Sequence, residues 1–230
     1  MKFRIVFLFC AFALFVSSQA FAQKAASRSF IKKAEVKLSF VETVRVKSNA
    51  GSVTKMGFRW LKIEVTYSFA DSTRKSTDWI DDMKVGFQVL FPSHYKGRNY
   101  TALMTGEVVF WSVHMDDKKH RVVGYVPPQI LRRYNRTGSK LNKNLAGSIF
   151  AMVTFYNKKG KVIGREFGAA KKQQSNKNAI YAIFARADEQ IGGPGSKYFK
   201  VKGAILSRDK TPWGSIDFDA YDLIKMDVNK

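Results

Sequence analysis

Apolar and polar residues alternate one for one along much of the chain. Ile63, Val65, Tyr67 and Phe69 are interleaved with Lys62, Glu64, Thr66 and Ser68, which in an extended strand puts one row on a core and the other on water. Such a strand is half-buried and antiparallel in type. The pattern recurs at Val36, Leu38 and Phe40, and again at Met83, Val85, Phe87, Val89 and Phe91. Thr105 to Met115 is more densely apolar and predicts a more fully buried strand. Arg121 to Val126 is expected to return from it as a hairpin through the polar turn Asp116-Asp117-Lys118-Lys119. A second hairpin joins Ile149–Tyr156 to Lys161–Phe167 through Asn157-Lys158-Lys159-Gly160. Further strands are predicted at Ala179 to Ala185, Tyr198 to Leu206 and Ile216 to Tyr221. The one helix expected is short, Pro127 to Tyr134, with proline in its first turn. No other segment holds an apolar 3.6-residue period over three turns. Seven to ten short strands with turns between them predict an all-β fold, best built as a β-sandwich.

The N-terminus follows a different pattern. Lys2 and Arg4 precede the apolar run Ile5 to Val16, and Ser17-Ser18-Gln19 leads to Ala20-Phe21-Ala22. A basic start, a run shorter than a spanning helix and a small-x-small triplet predict a signal peptide, residues 1–22, cleaved after Ala22. Retention as an anchor is the weaker alternative. Residues 23–230 then form the exported part, a single β-sandwich domain with basic loops and a short acidic C-terminal strand. Cys10 is the only cysteine and lies inside the leader, too early and too bulky in its setting for lipidation. The exported part therefore has no disulfide, thiolate nucleophile or Cys-ligated metal, and its stability rests on its apolar core.

Charge narrows the partner. The 230-residue chain has a formal charge of +22, and the surplus sits late: Pro127 to Lys210 holds 18 Lys and Arg against 4 Asp and Glu, whereas Thr211 to Lys230 holds 2 against 4. This excess attracts polyanions, whether glycan, envelope component or nucleic acid, although exposed lysines also serve solubility and guard sheet edges. Two stretches that break the strand rhythm carry the candidate anion-binding residues. Arg132, Arg133, Arg136, Lys140 and Lys143 lie in Leu131 to Asn144, and Lys171 and Lys172 lie in Ala169 to Asn178. Tyr95 and Tyr100 flank Lys96 and Arg98 and are candidate stacking groups, weighed against the core role that strand aromatics usually play. Ile191 to Ser196 is glycine-rich but lacks the lysine and hydroxyl ending of a phosphate-binding loop, and predicts a tight turn.

Catalytic chemistry finds little support. Gly-x-Ser-x-Gly and His-Glu-x-x-His are both absent from the sequence. His114 and His120 flank Asp116 and Asp117 and could face one another across the expected hairpin as a metal site, but an exposed polar turn is the favoured reading. Asp81-Asp82 and Asp217-Phe218-Asp219 are the paired acids. Asp217 and Asp219 share one strand face about 7 Å apart by strand rise, so an envelope glycan hydrolase using this pair is the alternative function. A solvated edge row is the favoured reading of the pair, because alternation with Phe218 and Ala220 already explains the placement. No enzyme activity, cofactor or metal is expected.

Ala204 to Trp213, followed by Asp217-Phe218-Asp219-Ala220-Tyr221-Asp222, resembles the end of the pilus-like proteins encoded beside type IV pilus genes in Verrucomicrobia of the Akkermansia type. The resemblance implies an immunoglobulin-like or fibronectin-type β-sandwich at the cell surface, in the periplasm or outside the cell, associated with pili or adhesion. Pilus-system proteins are its implied partners. A true type IV pilin has an apolar N-terminal helix with an early glutamate after a glycine cleavage site, and this chain has neither. An accessory or surface-interaction role follows. Self-association is a further expectation, with the acidic tail after Thr211 docking on the basic middle of a neighbouring copy.

Overall fold

The computed structural model describes residues 30–43, 59–70, 78–95, 98–116, 118–135, 148–169, 177–214, 222, 224 and 225. The expected leader and the strand at Ile216 to Tyr221 lie outside them. The strands, in chain order, are β1 (Ile31–Glu42), β2 (Arg59–Phe69), β3 (Trp79–Asp81), β4 (Lys84–Tyr95), β5 (Arg98–Val109), β6 (Ser112–His114), β7 (His120–Val126), β8 (Phe150–Tyr156), β9 (Val162–Ala169), β10 (Tyr198–Val201) and β11 (Leu206–Ser207). Helix α1 spans Pro128–Tyr134 and helix α2 spans Lys177–Gln190.

Two sheets face each other, in the orders β1-β2-β7-β11 and β10-β5-β4-β8-β9, and β3 pairs with β6 as a separate ribbon. This is the all-β sandwich that the alternation predicts. Leu61, Ile63, Val65, Tyr67 and Phe69 of β2 meet Val85, Phe87, Val89 and Phe91 of β4, all at 1% exposure or less. The first sheet is antiparallel throughout, and β10 lies parallel to β5 in the second.

Both open sides of the sandwich are stitched. On one, Phe30 N–H donates to Ile163 O at 2.8 Å, and Gly168 of β9 lies against the Val36 carbonyl of β1. On the other, Ile205 N–H donates to Thr105 O at 3.2 Å, and the Ile205 backbone lies against Gly106 of β5 while Leu206 pairs with Tyr125 of β7. At Gly106 and Gly168 a methyl group would overlap the facing carbonyl oxygen, so the close approach requires glycine.

Three expectations are corrected. Ala179 to Ala185 is not a strand but part of α2. Its Ile180, Phe184 and Ala187, spaced four and three apart, pack on Leu90, Leu103 and Met152 on the outer face of the second sheet. The segment Arg121 to Val126 does not return as a hairpin on the preceding strand: β6 pairs with β3, and β7 pairs with β2 and β11. Tyr198 to Leu206 divides into β10 and β11, one in each sheet. The Asn157 turn does form, with Asn157 Oδ1 accepting from the Lys159 and Lys161 amides at 3.1 and 3.0 Å. The outer face of the first sheet is covered by Trp213, stacked on Tyr125 at 4.6 Å and edge-on to Trp60 at 5.2 Å.

Candidate functional site

Polar chemistry concentrates at the two ends of β4. At its start stand the β3–β6 ribbon, the β8–β9 turn and Lys225. At its finish stand α1, the β4–β5 turn and the beginning of β10.

The finishing end is cationic. Pro127 and Pro128 start α1 with preset φ, and Leu131, fully buried, anchors the helix on β2 and β4. The anchor turns Arg132 and Arg133 outward, where both are exposed. Asn135 bridges to Ser93 of β4, and Tyr95 pairs with Arg98, so exposed Arg98 shares this end. Lys197, also exposed, accepts through its carbonyl from Thr101 N–H at 2.8 Å. The Arg133 guanidinium lies over the Tyr134 ring, 5.6 Å from its centroid. Tyr134 packs on Phe199 at 5.3 Å, and Phe199 on Tyr100 at 6.2 Å. Tyr100 is thus half-buried in an aromatic row rather than an open platform, and the row braces the arginines. Of the predicted anion-binding residues, Arg132 and Arg133 meet here. Arg136, Lys140, Lys143, Lys171 and Lys172 lie outside the described residues, as do Asp217 and Asp219, and Tyr95 is described in its backbone alone. Arg98, the first residue of β5, and Lys197, just before β10, join the cluster. Arg98 stands between the two tyrosines singled out in the sequence, which is the signal that could have found it.

The starting end pairs its charges internally. Asp82 Oδ1 lies 2.7 Å from Lys225 Nζ, and Asp82 Oδ2 lies 3.1 Å from Lys158 Nζ. Hydrogen bonds from Lys225 and then Lys158 hold its carboxyl below the usual carboxylate range. Deeper in, Asp116 reaches both histidines: Oδ2 is 3.3 Å from His114 Nδ1 and Oδ1 is 3.1 Å from His120 Nε2. His120 Nδ1 faces Asp222 Oδ2 at 3.4 Å. All three are close contacts between a ring nitrogen and a carboxylate, and His120 Nε2 has no aligned hydrogen-bond acceptor among the described residues. Desolvation is the largest influence on Asp116 and opposes its ionisation. The Lys118 amide and then the two histidines outweigh it together, and its carboxyl lies below the ordinary value.

His120 is buried, stacked on Tyr67 at 5.3 Å and edge-on to Phe69. Burial, reinforced by the Asp222 carboxylate, pushes the Tyr67 phenol well above its usual value. The two histidines do meet through Asp116, but across two sheets, and His120 is not in an exposed turn: the favoured reading of this segment is corrected. No group of His, Cys, Asp and Glu among the described residues has an arrangement able to hold a metal ion.

A family model matches residues 22–228 of the chain. The chain belongs to the pilus-like family. A crystal structure of a protein from Akkermansia muciniphila shares the fold, with a TM-score of 0.59 and 15% identity over 84% of this chain and 95% of that one. No curated protein matches in sequence. Membership of this family makes it a pilus-associated protein. Exported or surface proteins are the class to which the pilus-like family points.

Proposed function

We propose that this pilus-like protein is a non-enzymatic exported component that binds an anionic polymer or surface through the α1 end of its sandwich. The observation that carries the reading is the exposure of Arg98, Arg132 and Arg133 together at one braced end, on a chain of formal charge +22. Guanidinium groups are weakly hydrated and bind phosphate, sulfate and carboxylate as a fork, and a helix anchored by Leu131 presents them without reorganisation. What supports a binding rather than a catalytic role is the state of the acid–histidine cluster. Both nitrogens of His120 face carboxylates of the protein itself, and its ring is packed between aromatic side chains, so neither nitrogen is presented to a substrate.

Retention on immobilised heparin as a function of salt tests the proposal. Binding is expected to fall linearly in log affinity against log salt, and Arg132→Ala with Arg133→Ala should shallow that slope. A flat salt dependence, or an unchanged slope in the double variant, would overturn it.

A further inference from the structure

The two most exposed large apolar side chains among the described residues lie at the other end of the molecule. Trp79 is 60% exposed and Trp111 is 54% exposed, and both belong to the ribbon end. Trp79 pairs with His114 and Asp81 with Ser112, so these four share the outward face of the ribbon. Ile80 and Val113, on the other face, pack into the core and hold the ribbon in place. Ser112 Oγ donates to Asp81 Oδ1 at 2.7 Å, and the His114 ring supports the Trp79 indole at 4.7 Å. Both the indole and the carboxylate are therefore fixed in orientation and open to solvent.

The adjoining half of the ribbon shows what an indole beside a carboxylate receives. Lys225 Nζ stands 4.5 Å above the Trp111 ring and 2.7 Å from Asp82 Oδ1. One ammonium group thus satisfies a ring face and an anion together. Trp79 and Asp81 repeat the combination on the ribbon's outward face, whose four paired residues include neither lysine nor arginine.

We infer that the outward face of the ribbon is a docking surface for a second copy of this chain, which places a cationic side chain of its α1 end between Trp79 and Asp81. Charge complementarity selects the occupant. The receiving face pairs the exposed Asp81 carboxylate with an exposed indole, whereas the α1 end gathers exposed Arg98, Arg132, Arg133 and Lys197. The two surfaces are separated by the length of β4, 12 residues, or about 36 Å at strand rise. A contact between opposite ends is heterologous, and each added copy leaves one end of each kind unfilled, so association continues in one direction. Such growth suits a pilus-associated protein, yet the inference stands independently of polyanion binding.

Sedimentation velocity of the exported chain at low salt tests it. The wild-type chain should form concentration-dependent species larger than dimers that dissociate as salt rises. Trp79→Ala, a surface change that leaves the core intact, should weaken association about tenfold or more while leaving heparin retention unchanged, which separates this inference from the proposed function. Arg133→Glu should weaken it similarly from the other end. The decisive sample is a mixture of the two variants, because each retains the surface the other lacks. At a concentration where the wild type associates, each alone should stay largely monomeric, and together they should stop at a one-to-one pair. A monomeric wild type at high concentration and low salt would overturn the inference, as would association that survives in Trp79→Ala. A mixture that forms no pair would also overturn it. So would quenching of Trp79 fluorescence by neutral oligosaccharides without any self-association, which would assign the face to sugar.

Discussion

The two ends of β4 spend charge in opposite ways. At the ribbon end Asp82, Asp116 and Asp222 meet Lys225, Lys158 and two histidines within 2.7 to 3.4 Å, so their electrostatics act within the fold. At the α1 end Arg98, Arg132 and Arg133 are exposed beside a row of rings, and the Arg133 guanidinium lies over one of them. The difference shows that net charge alone locates no function in this molecule. Charge held within the fold supports structure, and charge exposed at the surface can be reached by a partner.

The largest way to break the contrast is Asp116→Ala. It leaves His120 buried beside Tyr67 and removes the group that joins both histidines, and a cost of about 2–3 kcal/mol is expected, read as a lowered urea midpoint with unchanged slope. Arg132→Ala and Arg133→Ala, by contrast, should each shift stability by less than about 0.5 kcal/mol.

Acid and alkali come next. The Asp116 carboxyl is lowered in the folded state, so its stabilisation is complete above its ordinary unfolded value near about 4 and is lost as pH falls through the lowered folded value. The Tyr67 phenol is raised, so its contribution is complete below about pH 10 and declines as pH rises beyond that. Chemical denaturation across pH should show both limits in wild type. Tyr67→Phe should remove the alkaline loss, and a loss that persists in that variant would assign it to another group.

Smaller is the salt effect at the α1 end. Each arginine that contacts a phosphate-like group should lower the log–log salt slope by about one when removed, measured by retention on heparin. Smallest is Asp82→Asn. It frees Lys225 from its anion beside Trp111, and the expected signature is a change in tryptophan emission with an unmoved thermal midpoint.

The sandwich was legible because period-two alternation survives in β2 and β4, whose inward rows are nearly all Val, Ile, Phe and Tyr. Helix α2 was not. Ala179, Ala182, Ile183 and Ala185 surround the buried Ile180 and Phe184 with further apolar residues, so a helical stripe resembles a short apolar run. A clue lay elsewhere: Leu90, Leu103 and Met152 are apolar on the face that alternation assigns to water, and all three sit under α2. The same reasoning applies to Trp60, Val123 and Tyr125 beneath Trp213. At the site, Arg132 and Arg133 could be named from composition. Their convergence with Arg98 depends on the Ser93–Asn135 bridge, a long-range pairing with no local sequence signature. His114 and His120 misled for the opposite reason, since neighbours in sequence entered different sheets.

Gly106 and Gly168 occupy the two sides of the sandwich where one main chain rests on another. Each lacks a side chain where the facing carbonyl leaves no clearance. A single carbon atom at either position would act as a wedge, prising one margin open while the other stayed fastened, so the closeness of the two sheets at their margins depends on two residues without side chains.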